Sequence, residues 1–424
     1  MQNSVLHHIL VRSRGAPLRV RLKAAPSSDI GLVDRVLGKM MLLHGARIEL
    51  LHVALPAVTP ISHISLPTLR HLVLREQHSS PGHPSDAFNY FAGADMPRLS
   101  RIDYHAHLRF IPNILLHTTI PWEQITVINL RFGGISWRHV LQVLAVAVHV
   151  QTFSIAANTT SLSINDMQGP PPPTPPPTVI LPSLTTANIH LRLSDLFLVL
   201  RAIQTPSLRH LDLHADAIQY EPGDVYGISS RDVSQAIENV LLGPRNTLVT
   251  LRLIDIPFSA YTIDAVLVSL VHLEALAVRL PMARSRHDMR NITTPESYQD
   301  LTPVLQRWAT SPISPNLQSL SLMASAWDWA PRGTLLELVR SRCQPKEASR
   351  LGVRVLRHLY ITRRHCATHS RIYDKDEIDV ALLNLPFTSI VWRDMDFDGA
   401  SQASSLVCSY CQVSTFKFLP PENW

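Results

Sequence analysis

Lysine is nearly missing from this 424-residue chain, which has only Lys23, Lys39, Lys346, Lys375 and Lys417, and nowhere do basic or acidic residues form a run. The formal charge of +6 is therefore thinly spread and carried by arginine, a side chain suited to bidentate contacts with carboxylates. Charge so dispersed does not point to nucleic acid or a membrane surface as the partner. Cysteine is scarce too, and four thiols in a chain this long exclude a disulfide framework and fit a reducing, cytoplasmic or nuclear compartment. The longest greasy stretch, Val140 to Val150, carries Gln142 and His149 and is too short to span a bilayer. Met1 to Arg14 has no uninterrupted apolar segment ahead of a small-residue cleavage site, so a secretory leader is not expected.

Catalytic signatures are also missing. There is no Walker A lysine loop, no G-x-G-x-x-G opening a helix, no H-E-x-x-H and no G-x-S-x-G elbow. No catalytic residue and no cofactor is expected, and the chain reads as non-enzymatic.

What the chain has is apolar surface and a repeated phrase. Hydrophobic residues make up 46% against 17% charged, enough to bury a substantial core. The phrase is Pro-x-Leu-x-x-Leu-x-Leu. It stands almost unaltered at Pro67, Leu69, Leu72, Leu74, again at Pro206, Leu208, Leu211, Leu213, and again at Pro315, Leu317, Leu320, Leu322. Looser copies start at Leu99, Ile125, Val150, Leu184, Leu248, Leu273, Leu356 and Phe387. Successive starts from Leu69 to Phe387 are 30, 26, 25, 34, 24, 40, 25, 44, 39 and 31 residues apart, against roughly 20–29 for the regular leucine-rich repeat. The last two apolar positions of each phrase sit two apart, which puts both on one face of a short strand, while the first packs at the turn leading in.

Amphipathic segments with helix signals lie between the phrases. Ser136, Ser194, Ser230, Ser259, Thr302 with Pro303, and Thr334 each open a stretch with apolar residues at helical spacing. Gly243 and Pro244 close one of them. Strand-then-helix units in one direction predict an α/β irregular leucine-rich-repeat solenoid, a horseshoe or arc with a parallel sheet on the concave face and helices outside. A doubly wound α/β domain has the same alternation but would not reuse one leucine spacing in every strand. The expected organisation is an N-terminal capping region over 1–60, the solenoid over 61–395 with a Pro-rich loop at 168–178, and a C-terminal cap or tail over 396–424.

Three phrases carry a resemblance. Pro17-Leu18-Arg19-Val20-Arg21-Leu22 after Arg12-Ser13-Arg14, Pro206-Ser207-Leu208-Arg209-His210-Leu211, and Leu335-Leu336-Glu337-Leu338-Val339-Arg340-Ser341-Arg342 resemble fungal F-box proteins of the mushroom-forming lineage. The resemblance implies a substrate receptor of a cullin-type ubiquitin ligase, in which the F-box grips a Skp-type adaptor and the repeats select a protein target. The F-box itself would precede Arg12, and no stretch here reads as one, so adaptor docking is not expected from these residues. The alternative reading is a Skp-independent scaffold or a basic nucleic-acid-associated binding protein, which the positive balance supports.

Strand alternation also gives a surface map. If Leu72 and Leu74 face the core, His71 and Arg75 face outward on the concave side, with Val73 between them. The same rule selects Arg101, Asp103, His105, Asn129, Arg131, Asn188, His190, His210, Asp212, His214, Arg252, Arg279, His358, Tyr360 and Arg393. A face of Arg, His, Asp and Asn suits a polar macromolecular partner, and its alternative is ordinary solvated sheet. Cys366, His369, Cys408 and Cys411 have finger-like spacing, but the reading taken is a basic loop and structural thiols with no metal. Pro170 to Pro177, broken by Thr174, predicts a polyproline II segment, either a stiff linker or a ligand for a proline-recognition domain.

Overall fold

A computed structural model of the protein describes residues 13, 15–23, 30–55, 64–76, 91, 93–106, 120–133, 135–157, 178–216, 230–243, 247–256, 260–279, 302–322, 332–364 and 389–395. Its strands are β1 (Leu18–Lys23), β2 (Ile48–Leu55), β3 (His71–Glu76), β4 (Arg101–His105), β5 (Val127–Phe132), β6 (Thr152–Ala157), β7 (Val179–Ile180), β8 (Thr186–Arg192), β9 (Ile203–Gln204), β10 (His210–Asp216), β11 (Thr250–Ile254), β12 (Ala275–Arg279), β13 (Ser319–Leu322), β14 (His358–Arg364) and β15 (Ser389–Met395). Thirteen of these form one parallel sheet in chain order, with only the short pair β7 and β9 standing aside as a second sheet. The end strands β1 and β15 do not meet, so the sheet is open and not a barrel.

Each of the eleven phrases leads into one strand, and the pairing keeps their spacing. His71 lies opposite Arg101, 30 residues on, and His210 opposite Thr250, 40 residues on. These are the separations of the matching phrase starts, so a unit with a long insert pairs in the same register as a compact one. The apolar positions consequently fall into rows. Leu72, Ile102, Ile128, Phe153, Ala187, Leu211, Leu251, Leu276 and Leu320 are opposed from strand to strand, and all are buried. The turn residues Leu69, Leu99, Ile125, Val150, Leu184, Leu208, Leu248, Leu273, Leu317 and Leu356 are buried as well. Each such side chain contributes about 1.5–3 kcal/mol by leaving water.

The leading proline has a specific job. Eight times the N–H of the first apolar residue donates to the carbonyl three residues earlier, as in Leu69 to Leu66 (3.1 Å) and Leu317 to Ser314 (3.1 Å). Proline holds the second position of five of these turns, at Pro67, Pro97, Pro182, Pro206 and Pro315, where its fixed φ favours the turn and no N–H is needed. Beyond each turn the parallel hydrogen-bonding continues past the strands. Ten successive N–H groups, from Arg70 donating to Glu49 (2.9 Å) to Arg357 donating to Gln318 (2.8 Å), link each unit to the one before. Side chains reinforce the turns, with Thr68 Oγ1 donating to Ile48 O (3.1 Å), Thr247 Oγ1 to Leu208 O (2.8 Å) and Asn316 Nδ2 to Val271 O (2.8 Å).

Helices cover the other layer: α1 (Ile30–His44), α2 (Trp137–Val146), α3 (Leu193–Ala202), α4 (Ser230–Leu242), α5 (Ala260–Ser269), α6 (Thr302–Thr310), α7 (Arg332–Cys343) and α8 (Pro345–Leu351). From α2 to α8 each packs on the next. Ser136 stands at the start of α2, as its side chain predicts, yet makes no capping bond. Its hydroxyl meets His139 Nδ1 at 3.0 Å, and Asp195 of α3 accepts from the Trp137 N–H instead (2.9 Å). The α7 helix starts at Arg332, so Thr334 falls in its first turn, and likewise Ser194 lies inside α3, which starts at Leu193. Near its end the buried Arg342 donates to the carbonyls of Trp308 (3.0 Å), Ser311 (3.1 Å) and Ile313 (2.7 Å). Trp308 lies in the last turn of α6 and Ser311 and Ile313 just beyond it, a helix end where a cation is electrostatically favoured.

Strands β1 and β2, helix α1 and the close turn at Gly45 all lie in the stretch expected as a cap. A Cβ at Gly45 would sit 2.8 Å from the Ser65 carbonyl oxygen, so only glycine fits. The Pro-rich loop, the segment 396–424 and the four residues Cys366, His369, Cys408 and Cys411 lie outside the described residues.

Candidate functional site

Where one face of each strand enters the core, the alternate residues line the other face, and the register aligns them across the sheet. Among the named positions, His71, Arg75, Arg101, Asp103, His105, Asn129, Arg131, His190, His210, Asp212, His214, Arg252, Arg279 and His358 are on these alternate positions of β3, β4, β5, β8, β10, β11, β12 and β14. Arg393 lies on β15, opposite Thr362, and for Arg393 and Tyr360 only the backbone is described.

The structure gathers several of these into two groups. In the first, His71 Nε2 is 2.6 Å from Asp103 Oδ2, and Arg101 donates to the same carboxylate through Nε (3.1 Å) and Nη2 (3.3 Å). Asp103 is only 6% exposed. Burial alone would push its carboxyl up, but the hydrogen bonds from His71 and Arg101 and the charge of Arg101 outweigh that and hold it below the usual carboxylate value.

The second group spans β8 to β12. His210 Nδ1 meets Thr250 Oγ1 at 2.9 Å, Arg252 Nη1 meets Asp212 Oδ2 at 2.7 Å, and His214 Nε2 meets Asp255 Oδ2 at 3.4 Å. Arg279 donates to both Asp255 oxygens, through Nε (2.8 Å) and Nη2. The His190 ring stacks on His214 with centroids 3.8 Å apart. Burial pushes the Asp212 carboxyl up despite Arg252 and His214, and burial likewise lowers Arg252, against the pull of Asp212. Both partners are thus penalised by leaving water, as expected of a largely buried ion pair.

Sequence reasoning missed Asp255, which lies just past the end of β11 with φ of 56°, a left-handed conformation that Asp tolerates better than most residues. It also missed Arg19, Arg21, Lys23 and His52 on β1 and β2. The alternation Leu18-Arg19-Val20-Arg21-Leu22-Lys23 was the available signal. In the structure these charged residues are exposed, while Leu18, Val20 and Leu22 pack on the core. His52 Nε2 and Asn129 Oδ1 are buried atoms without a hydrogen-bond partner. Burial, and then the cations Arg75 and Arg21, hold the His52 imidazole below its usual value.

No family model matches the chain, and no curated protein matches it in sequence. Among the described residues no cluster of three or more His, Cys, Asp or Glu side chains could hold a metal ion, and no helix is long and apolar enough to cross a membrane. An open groove of about 460 Å³ runs along the turn edge, away from the sheet face, with Arg209, His272, Glu274 and Arg354 in its walls. Its one ion pair, Arg354 to Glu274 at 3.6 Å, is half exposed and of the kind worth at most about 1 kcal/mol.

Proposed function

We propose that the chain is an irregular leucine-rich-repeat solenoid that works by binding a protein, with the outward face of its parallel sheet as the recognition surface. The observation that carries this reading is the unbroken register, which lines up polar residues on strand after strand into one surface. Solenoid repeats use extended surfaces of this kind for binding. Arg, His, Asp and Asn on rigid strands offer donors and acceptors whose positions are fixed before a partner arrives, which lowers the cost of association. On the resemblance to fungal F-box proteins, the partner would be a target protein delivered to a cullin-type ubiquitin ligase.

Affinity capture with the full chain tests this. Asn188→Arg with His210→Glu changes two exposed outward residues on neighbouring strands, and Arg201→Glu changes the exposed surface of α3. A specific protein partner should be lost with the first variant and kept with the second. Retention of every partner by the sheet variant contradicts the reading, and Skp-type adaptor and cullin in the wild-type capture would support the ligase role.

A further inference from the structure

The outward face is not electrically uniform. On strands β1 to β5 its outward positions hold six cations, Arg19, Arg21, Lys23, Arg75, Arg101 and Arg131, against one carboxylate, Asp103. Among the described residues the side chains of Arg19, Arg21, Lys23, Arg75 and Arg131 make no hydrogen bond or ion pair. Asp103 is already held by His71 and Arg101. Resting on the reading that the sheet face is the recognition surface, we infer that its β1–β5 end docks a carboxylate-rich extended segment of a protein partner.

Charge complementarity sets the sign of the occupant, and three further observations set its class. Five of the six cations are arginines, whose forked guanidinium matches a carboxylate in two parallel hydrogen bonds. No Phe, Tyr or Trp occupies an outward position on β1 to β5, so the face lacks the large aromatic platforms on which unpaired bases stack most strongly. Half-buried aliphatic residues, Leu50 and Val127, lie among the cations instead and suit side chains such as Leu or Val. With strands about 4.8 Å apart, β1 to β5 spans about 19 Å, the reach of about six extended residues.

Fluorescence anisotropy with the full chain tests the inference on three labelled probes: a twelve-residue peptide alternating Glu and Leu-rich positions, its Gln-for-Glu counterpart, and a twelve-nucleotide oligothymidylate. The acidic peptide should bind, weaken as salt is raised, and bind at least tenfold more tightly than either other probe. Arg75→Glu with Arg131→Glu should weaken it at least tenfold, Arg75→Ala with Arg131→Ala by a smaller factor, and Arg209→Glu on the turn edge should leave it unchanged. Saturation with the peptide should also raise the titration midpoint of His52, which faces Arg21 of β1 and Arg75 and His71 of β3, with Asp103 of β4 nearby. Binding of the oligonucleotide as tightly as the acidic peptide, no binding of the peptide, or equal binding by the folded Arg75→Glu/Arg131→Glu variant each overturns the inference. If the peptide fails while Asn188→Arg/His210→Glu still abolishes partner capture, this inference alone falls and the sheet-face reading stands.

Discussion

Two stretches of one sheet treat charge in opposite ways. Between β8 and β12 two carboxylates each have a cation on a neighbouring strand, Asp212 with Arg252 and Asp255, just past β11, with Arg279. At the outward positions of β1 to β5 cations outnumber carboxylates six to one. The backbone is the same parallel ladder in both stretches, so the difference lies in the side chains alone. Like charges about 10 Å apart in water repel by only about 0.4 kcal/mol, a cost a large folded chain tolerates. The β8–β12 stretch holds its buried charges in ion pairs, and on the reading proposed above the exposed cations of β1 to β5 face a partner.

If that contrast holds, substitutions should hurt stability in one region and not in the other. Asp255→Ala should cost the most, about 3 kcal/mol, because it places Ala at a φ of 56° and strands Arg279, a cation only 12% exposed. Urea denaturation reads the change, and Asp255→Asn, which tolerates the backbone, separates the two contributions. Next comes Arg252→Met, which leaves Asp212 in place without its counter-ion and should cost about 2 kcal/mol. The double change Asp212→Leu with Arg252→Met should recover most of that loss, since the desolvation of both charges disappears together.

The two stretches should also differ in their response to acid. The Asp103 carboxyl is held below the ordinary 3.8, so its stabilising contribution is complete above that value and lost as pH falls through its lowered pKa. The Asp212 carboxyl is held above 3.8, so its contribution is complete below 3.8 and lost as pH rises through its raised pKa. Thermal midpoints measured from pH 2.5 to 7 should therefore fall less steeply in acid for Asp103→Asn than for wild type. For Asp212→Asn they should lose a component that declines with rising pH. Smallest of all, Arg75→Ala with Arg131→Ala should change stability by less than about 0.5 kcal/mol, measured by the same denaturation. A loss of 2 kcal/mol there would erase the contrast between the two stretches.

Much of this arrangement is legible from leucine spacing. The phrase marks eleven strands, and the distances between phrase starts already contain the register, so that Asp212 and Arg252 fall opposite each other across a long unit. The remainder depends on features without a local signal. Strand β2 lacks the Pro-x-Leu turn, having a short 3-10 turn at Gly45–Arg47 instead, and so hides from a search for the phrase. Asp255 acts from beyond its strand through a left-handed backbone, which alternation does not reveal. The cap of α2 comes from Asp195, 58 residues away, and only the packing of neighbouring helices brings it there. The uneven charge of the face becomes visible once β1 joins β2 and adds Arg19, Arg21 and Lys23 to the row of outward residues.

A cross-strand disulfide tests most directly whether one in-register ladder leaves these side chains on a common face. Ser154 of β6 and Asn188 of β8 are opposed, and neighbouring parallel strands lie about 4.8 Å apart, within the range a disulfide bridges. Ser154→Cys with Asn188→Cys should oxidise to a single mapped bond under mild conditions, while Ser154→Cys with Thr186→Cys, one rung out of step on the same face, should stay reduced. The reverse pattern, or no bond in either folded variant, would contradict the ladder on which the proposed recognition surface depends.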